Sequence, residues 1–378
     1  MTRRHFIKRA CTGLSAAMLT GSATGCRAFG TDGRDPSGGG LAYVPLNGRS
    51  LTEIVERKQH HGRGRYLNPF SDGRRGFGRV LYWKLFSPNR FRKYYDQERE
   101  TPLKMDFRPL EGDRSLSVTW LKHATLLIKD AGEYLLVDPV FSNMFFGIRD
   151  FTPLAFDVAE IPRPDHLLIT HGHYDHLSVD SLAALGGRPH VIRPPGYGAV
   201  LRSAGITGGR ELDWFQTFSE KGREITLLPC NHWTMRNPLE GPNTALWGSY
   251  LIRTRSGATI LVAGDSAYFD GFEQLGQMYD IDLAIFNLGA YEPRWFMAQS
   301  HMNPAETVRA FLELGAKEMM VVHWGTYRLG DEPVHFPAEE IRREMAACGL
   351  SDRLIEIRHG QTLRYGRSPG NRAAYALF

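Results

Sequence analysis

Cysteine is scarce in this 378-residue chain: there are four, and two of them, Cys11 and Cys26, fall within the first 26 residues. Cys230 and Cys348 are too few for a disulfide framework and lack the paired spacing of a cysteine metal site, although one bridge between them is compatible with the sequence. Also missing is any run of roughly 18 unbroken apolar residues, which excludes a polytopic membrane protein. No internal repeat is evident, and apolar runs are short and interrupted by 40 Gly and 21 Pro, which excludes a coiled coil. No nucleic-acid-binding motif accompanies the basic residues, so nucleic acid is not expected as a partner.

What is present suffices for a substantial core. The chain is 42% hydrophobic and 23% charged, the balance of one large or two ordinary globular domains. Its formal charge of +5 is unevenly spread. Residues 57–108 hold 14 Lys/Arg against 5 Asp/Glu, whereas the chain beyond them is net acidic. Within that basic arm, LYWKLF (81–86) and RFRKYY (90–95) interleave aromatic and cationic residues. Such a pattern suits a membrane surface, and it equally suits a wrapping over the body with a solvated cationic face.

The first 26 residues read as an address. Arg3 and Arg4 followed by Phe6 and Lys8, then a weakly apolar segment, resemble a twin-arginine export signal. ATGC at 23–26 resembles a lipoprotein processing site, with Cys26 as the acylated residue. These features predict an exported, membrane-anchored lipoprotein facing the periplasm or cell exterior. The sequence divides into a signal peptide (1–26), a flexible tether (27–56), a basic aromatic extension (57–110) and a catalytic domain (111–378). The tether is read from the Gly- and Ser-rich stretch at 30–40.

After residue 115, short strand-like runs follow in quick succession: SLSVTWL, TLLIK, EYLLVDP, HLLIT, HVIRP, REITLLP, GSYLIRT, ATILVAG, LAIFNLG and EMMVVHWG. Helices are predicted at 180–186, at 304–315, opened by Pro and closed by Gly, and over PAEEIRREMAACGL. Mixed strands and helices fit a layered α/β body.

The chemistry concentrates in THGHYDHLS, where His171, His173, Asp175 and His176 lie within six residues at a strand end. Imidazole and carboxylate are ligands for zinc-like ions, and an irregular loop lets such side chains converge. His232, Asp265 and His323 each follow a later apolar strand, so several loops are expected to meet on one rim. Seven ligand-type residues exceed one tetrahedral ion and suit two, which would supply a nucleophilic hydroxide and a clamp for developing charge.

This set resembles the metallo-β-lactamase superfamily, with its H-x-H-x-D-H loop and later His, Asp and His residues. Within it the chain resembles the N-acyl-phosphatidylethanolamine-hydrolysing phospholipase D group. The resemblance rests on TWLKHATLLI (119–128), VDPVFS (137–142), NHW, AGDS, GAYEPRWFM (289–297), SHMNP (300–304), VHWGTY (322–327) and RYLNPF (65–70), and spans roughly residues 60–360. Lys122 departs from it, standing where glycine is usual. The resemblance implies an α/β fold, a four-layer αβ/βα sandwich with the metal site at the rim of two packed mixed sheets. It implies one ion on His171, His173 and His232, a second on Asp175, His176 and His323, and Asp265 bridging. Asp175 and His301 are the implied catalytic residues, His301 beside the scissile phosphate, while Tyr291, Trp295 and Phe296 are expected at a substrate entrance. The implied cofactor is two Zn²⁺, with Fe or Mn compatible with the same ligands. The implied reaction is hydrolysis of a phospholipid partner to phosphatidic acid and an N-acylethanolamine. A lactone, β-lactam or ester hydrolase, or a non-catalytic metal- or lipid-binding lipoprotein, are the alternatives.

Overall fold

The computed structural model describes residues 43–365, apart from 73–76, 113, 145–146 and 188. The signal peptide, Cys26 and the tether up to residue 42 lie outside the described residues. Among the described residues the chain builds two seven-stranded sheets. The first holds β1 (Leu116–Lys122), β2 (Thr125–Asp130), β3 (Glu133–Val137), β4 (His166–Leu168), β5 (His190–Arg193) and β6 (Arg210–Glu211), with β14 (Thr362–Tyr365) beside β1. The second holds β7 (Thr217–Glu220), β8 (Arg223–Leu228), β9 (Ser249–Arg253), β10 (Thr259–Val262), β11 (Leu283–Asn287), β12 (Glu318–Val322) and β13 (Leu354–Ile355), in order 13-12-11-10-9-8-7. Both sheets are mixed: β14-β1-β2-β3 and β10-β9-β8-β7 are antiparallel, while β3 to β6 and β10 to β13 are parallel.

The strands read as apolar runs because both faces of each sheet are covered. In the first sheet Leu126, Ile128, Leu135, Val137 and Leu168 join a core shared with the second sheet. Their alternates Leu127, Leu136, Leu167 and Ile169 face outward into a second cluster. That outer cluster is covered by α3 (Val179–Leu185) and α4 (Gly198–Ser203), which contribute Leu182 and Leu201. The second sheet is covered by α5 (Gly271–Met278), α7 (Pro304–Leu314) and α8 (Phe336–Ala347), through residues such as Phe272, Phe311 and Ile341. Helix, sheet, sheet and helix therefore stack in four layers.

Helix α7 begins and ends where its sequence dictates. Asn303 caps its N-terminus in a reciprocal box with Glu306, Pro304 occupies the first turn, and Gly315 closes it at φ +61°. Cys230 is a free, buried thiol, so the Cys230–Cys348 bridge does not form.

The tether expectation is corrected for residues 43–56. They hold α1 (Leu51–Glu56), and Leu46, Leu51 and Ile54 are buried in the main core. The backbone N–H of Leu51 donates to Gln274 on α5 at 2.8 Å. The physical reason is local: the Gly/Ser-rich composition ends near residue 40, and the apolar residues after it have a surface to pack on. The extension is likewise fastened to the body. His60 and His61 share the carboxylate of Asp213 at 2.7 and 2.9 Å, and Asn68 reaches Asn231 at 2.9 Å. Its helix α2 (Phe77–Phe86) packs Trp83 on Phe296 of α6 (Arg294–Met297). None of the described helices is long and apolar enough to cross a membrane.

Candidate metal centre

Strand β4 delivers the chain into the loop carrying His171, His173, Asp175 and His176, while β8, β10 and β12 run toward His232, Asp265 and His323. The loops meet on one rim. Two groups form there: His171, His173, His232 and Asp265, and His123, Asp175, His176 and His323, with the ligand atoms of each group within 4.8 Å of one another. Asp265 reaches into both. Its Oδ2 lies 3.7 Å from the Nε2 atoms of His171 and His232 and 3.3 Å from that of His176, while its Oδ1 lies 3.4 Å from His323 Nε2. Asp175 Oδ2 stands 3.5 Å from His323 Nε2 and 3.7 Å from His176 Nε2.

The outer nitrogens of the imidazoles decide which way the inner ones point. His176 Nδ1 donates to Asp138 Oδ2 at 2.8 Å, and His232 Nδ1 donates to the carbonyl of Ser300 at 3.0 Å. The Thr170 hydroxyl donates to Asp138 at 2.5 Å, leaving its oxygen to accept from His171 Nδ1 at 3.0 Å. With Nδ1 carrying the proton in all three rings, each Nε2 presents a lone pair inward. The buried Nε2 atoms of His176 and His323 make no hydrogen bond. Buried imidazole nitrogens left without a partner beside converging carboxylates are unfavourable unless a cation sits among them, so the residues fit a metal centre. Burial pushes His171 well below the usual imidazole range.

Sequence reasoning left three supporting residues without a role. Asp138, in VDPVFS, orients His176 and Thr170, whose backbone N–H it also accepts at 2.8 Å. Asn287 donates to Asp265 Oδ1 at 2.8 Å. His123, in TWLKHATLLI, is fully buried, with Nε2 3.2 Å from Asp175 Oδ2 and its ring 3.9 Å from that of His323. A signal existed for two of them, since both motifs stood out, but their roles depend on contacts between strands. The backbone is also bent here: Asp138, His123, His323 and Ala290 all have positive φ, from 42° to 78°. Non-glycine residues held this way cluster at functional sites, where surrounding contacts over-determine them.

His301 follows α6 and stands at the edge of the centre, its Nδ1 3.9 Å from Asp265 Oδ2. Burial pushes its imidazole down to about 4, so the ring is neutral at neutral pH. Arg294 fixes its backbone by donating to the His301 carbonyl at 2.9 Å, and is itself paired with Glu306 at 2.7 Å. Trp295 and Phe296 are partly exposed on α6. Tyr291 departs from the expected substrate contact: it is buried, and its hydroxyl donates to Glu340 of α8 at 2.5 Å. Its phenol is consumed in packing because the strand end turns it toward that helix. Lys122 is buried and ion-paired with Asp150, one strand residue from His123.

Comparison with known proteins agrees with this geometry. Residues 133–324 match the family model described as a beta-lactamase superfamily domain. The chain is 35% identical over 244 residues to an uncharacterised protein of Mycobacterium tuberculosis, covering 61% of this chain and 64% of that one. It thus spans about two thirds or less of such relatives' length. It is 30% identical over 255 residues to N-acyl-phosphatidylethanolamine-hydrolyzing phospholipase D 1 of Caenorhabditis elegans, covering 62% of this chain and 71% of that one. Among solved structures, "a possible metal-dependent hydrolase" from Veillonella parvula superposes with a TM-score of 0.56 at 15% identity, over 66% of this chain and 99% of that one. The last similarity concerns the fold alone.

Proposed function

This chain belongs to the beta-lactamase superfamily, and from that membership we propose that it is a metal-dependent phosphodiesterase of the phospholipase D type. Its substrate class is N-acyl-phosphatidylethanolamine, and its products are phosphatidic acid and an N-acylethanolamine. The observation that carries the reading is Asp265, whose two oxygens face both groups of ligand-type side chains. The named activity of the Caenorhabditis relative supports the substrate class.

His171, His173 and His232 would hold one ion, and Asp175, His176 and His323 the other, with Asp265 between them. Bound metal supplies Lewis acidity toward a phosphoryl oxygen and lowers the pKa of water to near neutrality. The protein's own part is placement. Asp138, Thr170 and the Ser300 carbonyl fix the rings, and Asn287 fixes the shared carboxylate. Neutral His301 is placed to exchange a proton with the phosphoryl group or the departing alcohol. Trp295 and Phe296 offer apolar surface to an acyl chain. The export signal and Cys26 suit a membrane substrate, because anchoring raises the enzyme's effective concentration there.

Zinc-loaded protein incubated with N-acyl-phosphatidylethanolamine, other membrane lipids and one lactone tests the reading, with products followed by mass spectrometry beside a His173→Ala control. Metal-dependent release of phosphatidic acid and N-acylethanolamine is expected. Lactone opening with intact phospholipids would replace the substrate class, and no turnover with metal bound would reject the activity.

A further inference from the structure

Helix α2 sits on the body the wrong way round for a surface helix in water. Leu81, Tyr82, Leu85 and Phe86 are 46%, 55%, 63% and 70% exposed. Positions 81 and 85, and 82 and 86, are four apart, so all four lie on one outward face. The inward face is anchored: Trp83 is buried, donates from Nε1 to Asp331 at 3.0 Å and packs on Phe296, while Arg79 donates to the Trp295 carbonyl at 2.8 Å. A single exposed leucine needs no explanation, but four adjacent large apolar side chains on one helix face form a patch that asks for a cover.

Along the chain the charge around the patch has one sign. From Phe77 to Tyr95 the chain carries Arg79, Lys84, Arg90, Arg92 and Lys93 and no acidic residue. Lys84 and Arg92 line a cleft of about 920 Å³ beside the helix, together with Arg149, Arg328 and Asp331; the body supplies acids there too, Glu98 pairing Arg328 and Glu292 pairing Arg90, which leaves the cations of the helix and of the segment after it in excess. An apolar face flanked by cations repels a second copy of itself and complements an anionic bilayer, in which apolar side chains enter the interface and cations stay at phosphate level.

We propose that α2 docks the protein on anionic phospholipid membranes, with Leu81, Tyr82, Leu85 and Phe86 entering the interfacial zone and Lys84, Arg92 and Lys93 at headgroup level. Docking does not depend on which bond the centre cleaves. It does give the architecture a direction: Tyr82 stands edge-on to Trp295 and Trp83 packs on Phe296, on the short helix that leads into His301. A lipid held at α2 therefore lies next to the segment that approaches the metal rim.

The test uses the full chain carrying Cys26→Ser, so that no acyl anchor contributes, and vesicles of phosphatidylcholine with or without phosphatidylglycerol. Sedimentation should show binding to the phosphatidylglycerol vesicles that weakens with salt. The Leu85→Ser/Phe86→Ser variant should lose about tenfold or more of that partitioning, and Lys84→Gln/Arg92→Gln/Lys93→Gln a similar factor. Far-UV circular dichroism and thermal unfolding should be unchanged, since these side chains are exposed. In the parent, hydrogen exchange of residues 80–86 should slow on vesicles. Equal binding by the Leu85→Ser/Phe86→Ser variant, or unaltered exchange over 80–86, would overturn the proposal. So would self-association in sedimentation velocity that Phe86→Ser abolishes, because the cover would then be a second copy. Vesicle binding is read without turnover, so its failure is distinct from failure of the phospholipase activity.

Discussion

A single carboxylate separates a pair of metal groups from a coupled centre. Asp265 faces both groups, and Asn287 holds it from behind, so Asp265→Asn removes the negative charge that stands between them. Metal content measured by mass spectrometry should fall below that of the parent, and hydrolysis by more than about a hundredfold. Asp138 works at one remove. Replacing it with Asn keeps the side chain's shape but deprives His176 and Thr170 of a charged acceptor. Competition with a chromogenic chelator should then show metal affinity reduced by about ten- to a hundredfold. Unchanged affinity would mean that the ring orientation is set by packing alone.

Elements position these residues through backbone as much as side chains. The loop after β4 is tight because Gly172 passes close to its neighbours. A Cβ there would stand 2.7 Å from the Tyr197 ring and 2.8 Å from Thr234 Oγ1, and the Gly172 N–H donates to that same hydroxyl at 3.0 Å. Gly172→Ala must push the loop outward, costing about 1–3 kcal/mol in stability. The larger effect should fall on the ligands on either side, His171 and His173. A cobalt-substituted Gly172→Ala protein should show an altered d–d absorption spectrum, and a spectrum identical to the parent's would refute the idea. Helix α6 serves the opposite edge, where its last turn accepts the N–H of His301 at 2.9 Å through the Met297 carbonyl.

Across the whole molecule the two ends of the sandwich divide the labour. The ligands gather where β4, β8, β10 and β12 end. At the start of β8, on the far side, Arg223 of the second sheet reaches into the β2–β3 turn of the first, meeting Asp130 at 2.8 Å and Glu133 at 3.1 Å. Burial acts to raise Glu133, but Lys221, Arg255 and Arg223 outweigh it and hold the carboxyl at about 2, below its ordinary 4.5. A depressed carboxyl contributes stability that is complete above its unfolded value and is lost as pH falls through its folded one. Glu133→Gln should therefore lower the thermal midpoint at pH 7, with the difference from the parent shrinking between about 4.5 and 2. Parallel curves down to pH 2 would exclude the clamp. Stripping metal should destabilise from the other end, by about 3 kcal/mol at saturating metal, visible as a lower midpoint that zinc restores.

The sequence alone determined what depends on neighbours along the chain. His171, His173, Asp175 and His176 lie within one loop, so their spacing already speaks for metal. Helix α7 carries its own cap, Pro and Gly, and the strand runs are apolar because both of their faces are buried. Tertiary structure decided whatever joins distant segments. Asp138 meets His176 because β3 and β4 are paired in parallel, and Asn287 meets Asp265 because β10 and β11 are. His123 reaches Asp175 across two loops. Tyr291 was assigned to substrate from its motif, yet a turn after β11 delivers it to Glu340. The interleaved cations and aromatics of residues 81–95 left two readings open, wrapping the body or facing a membrane. Packing decided only which side chains face inward, burying Trp83 and leaving Leu85 and Phe86 outside, because a helix side chain's environment is set by what lies against it.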